Sequence, residues 1–266
     1  MRRASTAGLI GAALLVASAL RAEPPPPAAA DSHLRYAGYV TGLNVFTLYV
    51  KASQALDRYR METRYHTEGV LSAFVSGELH TMAQGIWHGG RAAPSHYQTW
   101  GIWRDEARDT QLDYVSGKPV IRKLIPPIDG EREPVPAADQ LGTIDTLSAF
   151  ADLARQVNTS GRCEASARLF DGRRLSVVSV THGGEEFLAP ESRSSFAGRA
   201  LRCDITSRQI GGFTFADRST ETARPTTGSL WFAKPTPAAV LLVPVRMSFD
   251  LRVLGHATLY LTTSPK

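Results

Sequence analysis

Tyr59-Arg60-Met61-Glu62-Thr63-Arg64-Tyr65-His66-Thr67-Glu68 alternates without a break. Tyr59, Met61, Thr63, Tyr65 and Thr67 point one way and Arg60, Glu62, Arg64, His66 and Glu68 the other, the period of two that a pleated strand imposes on its side chains. Such a strand has one covered and one wet face, the signature of an antiparallel sheet with a single core side. Working outward, Leu43 to Val50 is apolar on both faces and reads as a strand covered on both sides. Further strands are expected at 79–87, 97–104, 111–116, 120–125, 163–170, 175–182, 197–205, 212–216, 229–233, 240–249 and 251–262. Asp171-Gly172 falls between two of these runs and marks a hairpin, because glycine tolerates the positive φ of a tight turn.

One helix stands out against this background. Asp145 can cap it through a side-chain oxygen, and Leu147, Phe150, Ala151, Ala154 and Val157 recur at helical spacing up to Gly161. Its apolar stripe has only the sheet to cover it. The fold class is therefore mainly β: a curved antiparallel sheet, an unclosed half-barrel, wrapped around one amphipathic helix.

The amino terminus reads as an export signal. Arg2 and Arg3 precede an apolar run from Ala7 to Val16 and then small residues. That run is shorter than the about 20 residues needed to span a bilayer. Residues 1–22 are expected to be removed, with cleavage after Ala22 preferred to cleavage after Ala19. No cysteine adjoins either site, which disfavours a lipid-anchored lipoprotein. Residues 23–34 form a Pro/Ala-rich tether and 35–266 a single β-rich domain, expected in the periplasm. Losing Arg2, Arg3 and Arg21 leaves 27 basic residues against 25 acidic ones. So small a surplus, spread along the chain, gives no stripe for nucleic acid, and no nucleic-acid partner is expected.

A series of short segments resembles a known family. These are Tyr36-x-x-Tyr-x-x-Gly42, Tyr59-x-Met-x-Thr63 leading to Gly69, Pro94-x-x-Tyr97 and Thr143-Ile-Asp-Thr-Leu-Ser148. They continue through Phe170-Asp-Gly-Arg173, Leu201-x-Cys203, Gly211-Gly-Phe213, Pro225, Trp231-Phe-Ala233, Val243-Pro-Val-Arg246 and Leu254-Gly255. Their order is similar to that of the domain of unknown function 3108 family of secreted bacterial proteins. The resemblance implies the half-barrel of the LolA and LolB lipoprotein carriers, with helical cover over an apolar cavity. Such a concave sheet can hold acyl chains by dispersion contacts alone. It implies no catalytic residues.

Two cysteines in an exported chain, Cys163 and Cys203, are expected to form a disulfide between neighbouring strands. Trp87, Tyr97, Phe150, Phe213, Phe215 and Trp231 are the candidates for lining a ligand cavity, with ordinary core packing as the competing reading of each. Trp100 and Trp103 have opposite parity, so at most one of them faces the interior. His80, His88 and His96 are too widely spaced for a metal motif, and no metal or cofactor is expected. Ser, His and Asp are plentiful, but no G-x-S-x-G elbow occurs and a triad can be assembled only by ignoring geometry. Asp105, Glu106 and Asp109 read as a solvated turn rather than paired catalytic carboxylates. The expectation is a non-enzymatic, monomeric periplasmic protein that binds or carries a lipid-like envelope molecule, with scope for peripheral membrane contact. The alternative is an envelope structural or assembly factor that meets a protein or polysaccharide through its sheet edge or rim.

Overall fold

Among the described residues thirteen strands join one antiparallel sheet, most of them alternating apolar and polar side chains. The computed structural model describes residues 30–69, 72, 77–130, 132–216, 223–251 and 255–263. The expected signal at 1–22, its cleavage after Ala22 and the tether up to residue 29 lie outside them. A first meander runs through β1 (Ala30–Val40), β2 (Leu43–Gln54), β3 (Arg58–Thr67), β4 (Gly77–His88), β5 (Arg91–Trp103), β6 (Glu106–Val115) and β7 (Lys118–Ile125). After α1 (Thr146–Ser160) a second follows through β8 (Ala165–Phe170), β9 (Leu175–Leu188), β10 (Gly198–Gly211), β11 (Thr226–Ala233), β12 (Val243–Leu251) and β13 (Gly255–Thr263). The first and last strands pair at the centre, with Tyr36 opposite Leu261 and Gly38 opposite Leu259.

The outer strands β7 and β8 do not pair with each other, so the barrel stays open. Their arms curl until side chains meet: Ala83, Tyr97 and Leu112 of the first arm pack with Phe170 and Leu175 of the second. The connection before the helix covers the free edge of β8. Ile144 N–H donates to Arg168 O and Phe170 N–H to Ile144 O, both at 3.0 Å.

Three features depart from the sequence reading. β1 begins at Ala30, inside the stretch read as tether, and its Leu34 and Tyr36 are buried in the core. No strand forms at 212–216, where the described contact is an isolated bridge from Thr214 to Arg132. Gly212 turns the chain there at φ +69°, and a Cβ at this position would stand 1.9 Å from Arg173 O. Leu43 to Val50 is not covered on both sides, since Tyr49 is 43% exposed on the outer face.

The helix starts and ends on the residues that local chemistry selects. Asp145 Oδ1 accepts the Ser148 N–H at 2.8 Å, and Gly161, left-handed at φ 67°, donates its N–H to Val157 O. Ala151, Leu153, Ala154 and Val157 are buried against the sheet. Burial of a Val or Leu side chain contributes about 1.5 to 3 kcal/mol, more than helix propensity supplies in so short a segment.

Candidate functional site: the hollow beneath the helix

The helix covers the concave face unequally. Over β3 to β6 that face is filled: Tyr59, Met61 and Ala151 form one cluster, and Ala83, Tyr97, Leu112, Phe170 and Leu175 another. Over β1, β2 and β9 to β13 the face stands away from the helix and leaves a cavity of 910 Å³. Leu34, Leu48, Val50, Val178, Val180, Ile205, Leu230, Met247 and Phe249 line it from the sheet, and Leu147, Phe150, Leu153 and Ala154 from the helix. These are the alternate residues of each strand, which the pleat sends to one side.

The polar groups of the lining include two ion pairs. Arg91 meets Asp152 at 2.8 Å, and the same carboxylate accepts the Ala92 N–H at 2.8 Å, tying the helix to β5. Arg174 meets Asp171 at 2.8 Å. Ser176 lies opposite Gln209 in the ladder and Ser207 opposite Thr226. One end of the cavity is thus aliphatic, and the other offers hydroxyl and amide groups, with the Asp250 carboxylate, held by Thr227 and His256, also in the lining. The space is large enough for the apolar part of a drug-sized or lipid-like molecule.

A covalent tie braces the aliphatic end. Cys163 and Cys203 form a disulfide, Cα to Cα 5.8 Å, that joins the segment before β8 to β10 across β9. Both sulfurs are fully buried in the cluster that holds Val180 and Leu230. The pair fits an oxidising, exported location.

A buried polar chain fixes the start of the helix. Tyr59 Oη–H donates to Ser148 Oγ at 2.7 Å, and the Ser148 hydroxyl donates to Asp145 Oδ2 at 2.6 Å. Burial pushes the Asp145 carboxyl up to about 6, against the downward pull of the Ser148 hydrogen bonds. The same burial raises Tyr59 and Tyr97 well above the ordinary phenol range.

Of the six aromatic candidates, Phe150 lines the cavity and the other five lie off it. Tyr97 is buried in the filled half. Trp87 packs on Tyr59 with ring centroids 4.8 Å apart, beneath Arg155. Trp231 stands on the outer face, its indole N–H donating to Glu186 at 2.9 Å between Arg202 and Arg246. Phe213 and Phe215 belong to the turn after β10. Aliphatic residues do most of the lining. Strand parity could have found them, but parity does not say which half of the face is filled.

The other sequence candidates separate in space. His96 binds Asp113 at 2.8 Å and His80 binds Glu78 at 3.2 Å. Among the described residues no three His, Cys, Asp or Glu side chains stand close enough to hold a metal ion. Asp105, Glu106 and Asp109 do not converge: Asp105 sits in the turn at φ 61°, Glu106 pairs with Arg108 and Asp109 with Lys123. One Ser, His and Asp set does assemble, contrary to the sequence reading. His256 contacts Ser248 Oγ through Nε2 and Asp250 Oδ1 through Nδ1 at 2.9 Å, and Thr227 holds the other oxygen of Asp250. Ser248 is 5% exposed on a strand paired on both sides, so its backbone amide belongs to the ladder rather than to an oxyanion site. No helix among the described residues is long and apolar enough to cross a membrane.

Comparison with known proteins agrees with this geometry. The model of a family described as protein of unknown function (DUF3108) matches residues 34–262. No curated protein matches. Among solved structures, the chain is similar to a beta-barrel-like protein of domain of unknown function DUF1849 from Brucella abortus. The TM-score is 0.51 at 10% identity, over 88% of this chain and 96% of that one. At such identity the likeness is one of fold.

Proposed function

The chain belongs to the DUF3108 family of proteins of unknown function, and from that premise we propose that it is a non-enzymatic periplasmic protein that binds or carries a lipid-like envelope molecule in its half-barrel. The observation that carries this reading is the 910 Å³ aliphatic cavity between α1 and the sheet. An acyl chain would replace water along Val178, Val180, Ile205 and Phe249 at about 25 cal/mol per Å² of apolar surface covered. Its head would lie toward Ser176, Ser207 and Gln209, beside the Arg174–Asp171 pair. A hydrogen-bonding head without negative charge suits that end, because Asp250 also lines the cavity and an added anion would have no counterion there. The disulfide supports an exported location. Strand addition is less well supported at β8, where Ile144 already occupies the edge, and would fall to β7.

Native mass spectrometry with lipid extraction, on protein purified from the periplasm of its own host, tests the reading. A reproducible amphiphile should accompany the wild type and be lost from a Val178→Trp variant, whose indole projects into the cavity. Empty wild-type protein from a lipid-replete host would sink the proposal.

A further inference from the structure

The outer face of the first arm carries a row of side chains that the carrier reading does not use. Successive ladder partners place Arg35 beside Tyr49, Tyr49 beside Arg64, Arg64 beside His80 and His80 beside Trp100. These five residues lie on five adjacent strands, so the row runs across the sheet with a step of about 4.8 Å. Cationic and ring-bearing groups are interleaved along it. The Arg35 guanidinium sits 5.8 Å from the Tyr49 ring centre, and the His80 ring is stacked on Trp100 at 5.3 Å and 14°. Tyr49 is 43% exposed and Trp100 37% exposed, although both are large rings on a polar face.

The twist of the sheet turns this row into the floor of a groove of 640 Å³, with Lys51 on its wall. Arg35, Lys51, Arg60 and Arg64 stand in the groove against one lining carboxylate, Glu62. Arg64 is paired with Glu78 at 2.9 Å and Arg60 with Glu62 at 2.6 Å. Among the described residues neither Lys51 nor Arg35 makes an ion pair, and the Glu62 that stands opposite Lys51 in the ladder is held by Arg60. The groove is therefore cationic beside its part-exposed rings.

We propose that this groove binds a strand of anionic polysaccharide. Sugar rings present C–H groups that pack on the exposed ring surfaces of Trp100 and Tyr49 left uncovered by His80 and Arg35, while their carboxylates or phosphates meet Arg35 and Lys51. The step between neighbouring strands is close to the length of one residue of an extended glycan, so several rings can engage the row in register. A membrane surface is flat and would meet the walls of the groove rather than the rings on its floor. The site lies on the opposite side of the sheet from the cavity, and occupancy of one does not require the other.

Affinity electrophoresis of the purified protein in gels containing alginate, with neutral dextran gels as the reference, provides the test. Alginate should retard the wild type and dextran should not. Trp100→Ala and the double variant Arg35→Ala with Lys51→Ala should each weaken retardation about tenfold, the size of one lost ring or charge contact. Their circular dichroism should match that of the wild type, since the three side chains lie on the outer face. Absence of retardation by alginate would overturn the proposal, as would retardation unchanged in either variant. Equal binding to anionic vesicles or single-stranded DNA, insensitive to Trp100→Ala, would also overturn it and mark the groove as a plain cationic surface.

Discussion

The two halves of the concave face are built from the same alternating strands under the same helix, yet one is solid and the other hollow. Over β3 to β6 the inward residues are Tyr59, Met61, Tyr97 and Leu112, which reach the helix and the facing arm. Over β9 to β11 they are Val178, Val180, Ile205 and Ser207, smaller side chains that border the cavity. The solid half is filled throughout. The hollow half is packed only where Leu153, Ala154 and Val157 of the helix cluster with Val180, Leu230 and Val245, and it is braced there by its ladder and by the Cys163–Cys203 bond.

Breaking that bond should have the largest effect. The two cysteines enclose a separation of 40 residues, and replacing both with serine should lower unfolding free energy by about 4 kcal/mol in the chain-entropy model. Urea denaturation of the oxidised wild type and the double variant measures this. A midpoint shift worth less than a quarter of that would mean that the ladder and the helix packing hold the hollow half without it.

Truncation on the two sides of the face gives the next contrast. Leu112 is fully buried, and Leu112→Ala should cost about 3 kcal/mol from lost transfer energy and the void left behind. Val178 already borders open space, so Val178→Ala should cost about 1 kcal/mol, the transfer term alone. Equal losses in chemical denaturation would erase the distinction between the halves.

The smallest effect concerns pH and the helix start that lies between the two halves. Because burial raises Asp145 from 3.8 to about 6, the folded protein favours its protonated form. The stability this group contributes is fully present below its unfolded value and is lost as pH rises through about 6. Asp109, Asp113 and Asp204 are lowered and slope the other way. Asp145→Asn keeps a capping oxygen but does not titrate. The difference between the wild-type and variant Tm profiles should therefore fall between about pH 4 and pH 6 and be flat above. A level difference across that window would show that the carboxyl is not governed by its burial.

Legibility in the sequence follows the range of the interaction concerned. The alternation from Tyr59 to Glu68, the cap at Asp145, the stop at Gly161 and the hairpin at Asp171-Gly172 rest on neighbours a few residues apart, and each was readable in advance. β1 was not, because His33, Leu34, Arg35 and Tyr36 follow a Pro/Ala run, and half of their pairing is with β13, where Tyr36 meets Leu261 more than 200 positions away. The cavity lining was sought among aromatics because large apolar rings attract attention. Trp231 instead lies on the outer face against Glu186, and Tyr97 in the solid half.

By itself the sequence determined the mainly β class, the antiparallel sense, the single helix and its caps, and the pairing of the two cysteines. Those outcomes depend on backbone geometry and short-range chemistry. Only the tertiary structure decided where the sheet is filled, that its edges curl to meet without pairing, and that Arg35, Tyr49, Arg64, His80 and Trp100 fall into one row. A hollow is a difference between the reach of side chains and the separation of the elements that carry them, and that separation is set by the whole sheet's twist and closure.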